Sequence, residues 1–171
     1  MATAPRVPFQ AVKPLVGLSI ATESFSESLT QTFKAGAPVV IAASGYLTEC
    51  GADPVLVMGI AQGDGHNTAV VGQAATMVAL AHPCTLFMGN LDNGSGTAIT
   101  AVTDRGKSYG IAKDAPTGKW YIDKLDTTAK RVIVWGFWDG VQDGVQAAVG
   151  DTIGWTYFTF GGAFSQGFLV V

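Results

Sequence analysis

The chain has 171 residues and a formal net charge of −3, and only 13% of its residues are Asp, Glu, Lys or Arg, about half the usual share. Without a basic cluster this balance argues against a nucleic-acid-binding protein, because neutralising phosphates supplies much of such affinity. No apolar run approaches the ~20 residues of a membrane helix, and MATAPRVPFQ lacks a signal peptide's apolar segment, so we expect a protein made and kept in a cytoplasm, with no membrane partner.

The surface should be poor in charge. A chain of this length fits one domain with a buried core. A freely diffusing monomer normally carries more surface charge, because charge keeps molecules apart. We therefore expect partners to cover much of its outside.

Residues 1–32 differ in composition from the rest and predict an extended N-terminal arm. Prolines space its first half, and proline cannot donate to a sheet ladder and favours extended geometry before it. Its apolar side chains should be buried on the parent barrel or, as we favour, on a neighbouring subunit by strand addition. An ordinary edge strand with a short disordered lead-in is the alternative. The candidate partner contacts in the arm are Pro5, Val7, Pro8, Phe9, Val12, Pro14, Leu15 and Phe25.

Residues 33–63 predict a compact β-meander. Residues 38–43 and 55–61 are apolar almost throughout, which is typical of buried strands, and residues 46–50 between them alternate. A turn at Ser44-Gly45 and another at Ala52-Asp53-Pro54 would connect the three strands.

The second half predicts more short strands separated by glycine-rich turns. The most apolar of them, residues 131–138, should be central, and residues 89–96 should form a surface loop. The other predicted strands are residues 73–81, 84–88, 98–102, 109–112, 119–123 and 154–160. With no convincing amphipathic helix, the chain predicts an all-β fold: a single small β-barrel or sandwich, β-tulip-like, over residues 33–171, preceded by the arm.

The sequence offers no convincing catalytic or metal-binding motif. His66, His82, Cys50 and Cys84 lack zinc-site spacing, and the two cysteines lie in apolar runs typical of buried thiols. Nucleophilic catalysis would need a Ser or Cys beside a His and an acid, and Asp139 and Asp143 are explained by their turn context. We therefore expect no enzyme activity, no cofactor, no metal and no small-molecule substrate.

The four tryptophans divide into two groups. Trp120, Trp135 and Trp155 lie in apolar runs, which favours core packing. Trp138 precedes Asp139-Gly140 and could reach the rim of the barrel, so it joins the candidate partner contacts.

The segment PVVIAASGYLTECGADPVLVMGIA resembles the opening of the small capsid decoration, or cement, proteins of tailed bacteriophages. The matching residues are 35–40, 52–54 and 59–61, and residues 118–123 look like a late strand of such barrels. The resemblance implies a homotrimer on the exterior of the virion capsid that binds the major capsid protein and clamps neighbouring capsid subunits, after synthesis in the bacterial host. The long Pro-rich arm and the aromatic C-terminal strands depart from the family pattern.

Two other classes of function stay open at this point. One is another virion component, such as a head fibre, a tail protein or a receptor-binding knob. The other is an enzyme, for which His66, His82, Asp139 and Asp143 would be the residues to replace.

Overall fold

The computed structural model describes residues 6–15, 19–97, 100–138, 141–142, 145–146, 148–162 and 165–166. These residues form strands, turns and one short 3₁₀ turn at Val102–Asp104. The all-β prediction is confirmed. The strands are β1 Gln10–Pro14, β2 Thr22–Ser26, β3 Pro38–Ile41, β4 Leu47–Glu49, β5 Gly59–Ala61, β6 Ala75–Leu80, β7 Thr85–Asp92, β8 Ser108–Lys113, β9 Trp120–Asp123, β10 Val132–Phe137, β11 Val141–Gln142, β12 Val145–Gln146 and β13 Trp155–Phe160.

The N-terminal ring, residues 22–80, contains five strands in the order β2-β6-β5-β3-β4. Glu27, just past β2, forms a parallel bridge with Leu47 of β4. The amide of Ser28 donates to the Leu47 carbonyl at 2.9 Å. The two outer strands of this sheet therefore meet at one end, which shortens the exposed edge.

The C-terminal ring, residues 85–160, is a closed five-stranded barrel in the order β7-β13-β10-β8-β9. Parallel pairing of Leu91 with Ile122 and of Asp92 with Asp123 joins β7 to β9 and closes it. Strand β1 adds to the other part of the same edge of β7, with Gln10 opposite Met88. The predicted β-barrel is thus confirmed, and a second ring accompanies it.

The two rings share one strand order and one register. Val39 pairs with Gly59 in the first ring as Tyr109 pairs with Val132 in the second. Equivalent pairs continue around each ring: Gly59–Leu80 matches Val132–Phe160, Ser24–Met77 matches Met88–Tyr157, and Glu27–Leu47 matches Leu91–Ile122. Because every pairing agrees in both partner and direction, the chain contains the same five-stranded unit twice.

One core joins the rings. Buried side chains of both belong to a single cluster, which includes Val39 and Ile60 from the first ring and Ile111 and Phe158 from the second. Polar contacts reinforce the junction: the Trp120 indole donates to Glu49 at 3.0 Å, and Lys113 pairs with the same carboxylate at 2.7 Å. The rings therefore pack as one body with a shared interior.

Four predictions about the strands were wrong. Of the predicted strand at residues 98–102, the described residues 100–102 form no strand, and Val102 begins the 3₁₀ turn. The segment at residues 33–63 is not a meander, because β5 pairs with β3 instead of β4, whose other edge is taken by Glu27. Residues 22–26 form β2 of the N-terminal ring, so the predicted arm contains a ring strand. Of the predicted surface loop, residues 89–92 continue β7 and are buried, because the polar side chains Asn90 and Asp92 find partners inside.

Candidate partner-binding surface

The start of the described chain is packed against its own rings. Val7 is buried, and its amide donates to the Asn90 Oδ1 atom at 2.6 Å. Phe9 is also buried, with its ring 5.0 Å from that of Phe158 in an edge-on arrangement. Val7 and Phe9 are therefore no longer candidates for partner contact, because they are already buried within their own chain.

Arg6 fixes this segment through charge. Its guanidinium bonds to the fully buried Asp92 carboxylate, lies 3.2 Å from Asp114 and stacks 4.9 Å from the centre of the Tyr121 ring. The Lys119 ammonium donates to the Arg6 carbonyl at 2.7 Å. Hydrogen bonds from Thr117 and the nearby Arg6 charge lower the pKa of the Asp114 carboxyl. The buried Asp92 carboxylate is stable because it is paired with the Arg6 guanidinium.

The other arm candidates differ in accessibility. Val12 is 38% exposed on β1, whereas Pro8, Pro14, Leu15 and Phe25 are half-buried. The Leu15 amide donates to the Cys84 carbonyl at 2.7 Å, which continues the pairing of β1 with β7. Among these residues Val12 offers a partner the most accessible apolar side chain. Pro5 lies outside the described residues.

The tryptophans do not follow the predicted division completely. Trp120 and Trp155 are buried as predicted, and the half-buried Trp138 packs 4.6 Å from the Trp155 ring. Trp135, however, is 54% exposed, so its assignment to the core was wrong. A register shift between Val134 and Gly136 marks a bulge at this residue, and bulges re-aim side chains.

Strand β10 presents an apolar outer face. Its alternation buries Val132 and Val134 inside the ring and leaves Ile133, at 36% exposure, and Trp135 outside. The Trp135 indole donates to the Thr159 hydroxyl of the neighbouring β13 at 2.9 Å, which holds the ring against the sheet. We call Ile133, Trp135 and Thr159 the β10 face.

Two buried carboxylates outside this face are fully engaged in structural contacts. Glu27 accepts from the His66 amide at 3.0 Å and from Thr76, and lies 2.6 Å from the His66 Nδ1 atom. Burial alone would raise the pKa of Glu27, but these hydrogen bonds outweigh it and the pKa falls below its usual value. Both carboxylate oxygens thus serve to fix the loop after β5.

A second buried carboxylate, Asp104, lies in the C-terminal ring at the end of the 3₁₀ turn. It accepts from Lys124 at 2.9 Å, from the Tyr109 hydroxyl at 2.8 Å and from the Ala101 amide at 2.8 Å. Burial opposes ionisation of Asp104, yet these donors lower its pKa. Burial, together with the hydrogen bond to the Asp104 carboxylate and the charge of that group, raises the pKa of Tyr109.

Neither histidine nor cysteine chemistry converges on a site. Within the described part of the chain, no group of three His, Cys, Asp or Glu side chains could hold a metal ion. Cys50 is buried, which raises its pKa to about 12, whereas Cys84 is exposed because it lies in the turn before β7, so the prediction of two buried thiols was wrong for Cys84. Among the described residues no helix is long and apolar enough to cross a membrane.

Comparison with known proteins leaves the geometry as the main guide. No family model, curated protein or solved structure matches this chain.

The β10 face is a surface that sequence reasoning missed. The signal available was the alternation in RVIVWGFW, which places Ile133 and Trp135 on the same side of one strand.

Proposed function

We propose that this protein is a virion structural protein, a capsid decoration or cement protein that binds as a trimer on the outside of the mature head and contacts the major capsid protein. The observation that carries the proposal is a surface poor in charge that also exposes the apolar β10 face. Large apolar side chains exposed together commonly mark protein–protein contacts. The resemblance of residues 35–40, 52–54 and 59–61 to tailed-bacteriophage decoration proteins supports the same role.

The physical basis of a cement function is linkage. A protein that binds across subunit boundaries of a closed shell, and not to open fragments, adds its binding free energy to the intact particle. Two rings with a shared core give such a clamp the rigidity to hold two neighbouring capsid subunits at a fixed spacing.

The test compares particles assembled with and without this protein by image reconstruction. The expected result is added density on the exterior of expanded capsids, together with a higher disruption temperature of the decorated particles. A matched particle that has not expanded serves as the control. Density at the tail or at a head fibre instead, or no density at all, would overturn the capsid-decoration proposal.

A further inference from the structure

The repeated five-stranded unit allows each outer surface of one ring to be compared with its equivalent on the other. Strand pairing makes β5 the equivalent of β10: Ile60 opposes Pro38 and Ala79, as Ile133 opposes Ser108 and Thr159. Ile133 points away from the interior of its ring, because its neighbours in β10, Val132 and Val134, point into it. The shared register gives Ile60 the same orientation in the N-terminal ring.

In the N-terminal ring this outer face is covered. Pro38, Ile60 and Ala79 are all buried, and β5 is buried at each of its three positions. Ile60 and Ala79 belong to the core cluster that the two rings share. This chain therefore supplies the covering material for its own first ring.

The N-terminal segment fills the neighbouring space. A Cβ atom added to Gly36 would lie 2.4 Å from the Pro8 Cβ atom and 2.9 Å from the Phe9 backbone. Residues 8 and 9 thus pack directly against the turn that leads into β3. The Phe9 ring extends onward to Gly89 and Phe158 of the C-terminal ring.

In the C-terminal ring the equivalent surface is more accessible: Ile133 is 36% exposed and Ser108 is half-buried, whereas Thr159 is buried. Gly106 matches Gly36: both have positive φ, 76° and 87°, and both amides donate at 2.8 Å to the equivalent carbonyls of Val134 and Ala61. Among the described residues, no atom would lie within 4 Å of a Cβ atom on Gly106, and Ile133 and Trp135 are exposed beside it. The two equivalent surfaces therefore differ in accessibility, and the C-terminal one also carries Trp135, the extra residue of the β10 bulge.

We propose that a second copy of this chain covers the β10 face in a head-to-tail contact. The packing within one chain shows that a surface of this kind is buried by another part of the same polypeptide, and a neighbouring copy repeats that arrangement. The contact is heterologous: the β10 face of one copy meets a different surface of the next. Repetition around a closed ring leaves no β10 face exposed, whereas a two-fold contact would pair two β10 faces.

The experiment measures the mass of the free protein by sedimentation equilibrium. Wild type should sediment with the mass of three or more chains, because a closed head-to-tail ring needs at least three copies. The double variant Ile133→Glu, Trp135→Glu should sediment as one chain, since two carboxylates cannot be buried in an apolar contact without partners. Leu125→Glu is the matched control, because Leu125 is an equally accessible apolar residue at 72% exposure and lies outside the β10 face. Far-UV circular dichroism should be the same for all three proteins.

A disulfide test distinguishes the geometry of the contact. In a Cys84→Ser background, the variant Trp135→Cys should not form covalent dimers on oxidation, because the head-to-tail contact keeps equivalent residues apart. Efficient covalent dimer formation would overturn the proposal in favour of a two-fold contact.

Two results with the free protein would also overturn it: a wild-type mass of one chain, or an unchanged mass in the double variant. These assays contain no capsid, so they are separate from the decoration test. If wild type has the mass of one chain and the double variant has lost capsid binding, the β10 face belongs to the capsid contact and not to a second copy.

Discussion

A few buried charged side chains hold the surrounding loops in place through their hydrogen bonds. Glu27 illustrates the principle, because its side chain is removed from water while a histidine amide, an imidazole and a threonine hydroxyl compensate the lost hydration. Those bonds favour the ionised form, so the pKa of Glu27 is lower in the folded chain than in an unfolded one. The loop after β5 therefore depends on the charge of one carboxylate.

This linkage predicts a pH dependence of stability. A lowered folded-state pKa contributes stability that is present above the unfolded value, about 4.3 for Glu, and lost as the pH falls through the folded value. We expect Glu27→Gln to lower the free energy of unfolding at pH 7 by about 2 kcal/mol and to reduce its further loss on acidification. Urea unfolding at pH 7 and at acid pH measures both quantities.

Glu23→Gln is the control for this prediction, since Glu23 is exposed on β2. That variant should follow the wild-type pH dependence. Identical pH dependence in Glu27→Gln and wild type would show that the Glu27 contacts do not contribute to stability.

At the scale of elements, the N-terminal segment acts as a wedge between two rings. It is tied to the C-terminal ring by Arg6 and β1, and it contacts the N-terminal ring at Gly36. The absence of a side chain at Gly36 makes this close approach possible. Gly106 occupies the equivalent turn in the other ring, where no described atom would contact an added Cβ atom.

The two glycines form a matched pair for testing the wedge. Gly106→Ala should lower the free energy of unfolding by about 1 kcal/mol, the cost of a Cβ atom at positive φ. Gly36→Ala carries the same backbone cost and also displaces Pro8 and Phe9, so we expect an additional loss of about 1–3 kcal/mol. Denaturant unfolding of both variants supplies the measurement. Equal losses would mean that residues 8 and 9 do not pack against Gly36 in solution.

The whole molecule is expected to unfold as one cooperative unit, because the rings share a core and the segment before β1 bridges them. The four tryptophans all lie at or after β9 and report on the C-terminal ring, whereas the buried Cys50 reports on the N-terminal ring. In a Cys84→Ser background, tryptophan fluorescence and the reactivity of the Cys50 thiol should therefore change at the same denaturant concentration. Exposure of Cys50 at a clearly lower concentration would mean that the rings unfold independently.

Local sequence patterns were sufficient for the strand class and for most strand positions. Glycine turns, β-branched runs and alternation located β3, β6, β8, β9, β10 and β13 to within a few residues. They failed at residues 89–92, where polar and glycine residues indicated a loop. The sequence does not reveal that Arg6 and Val7 lie opposite Asp92 and Asn90 and satisfy them inside the barrel.

The candidate surface was less predictable than the fold. The arm prolines were singled out by composition and Trp138 by its position before Asp139-Gly140, whereas Trp135 was assigned to the core because its neighbours are apolar. Its exposure depends on which side of β10 faces the ring and on a bulge, and both follow from pairing with β13.

The sequence by itself determined the all-strand architecture and the low surface charge, because both follow from residue types and their local spacing. Only the tertiary structure decided that the chain forms the same ring twice, that the segment from residue 6 to β1 contacts both rings, and that one outer face is buried while its equivalent is partly exposed. The physical reason is that strand partners and burial depend on contacts between residues distant in sequence, which a local pattern does not encode.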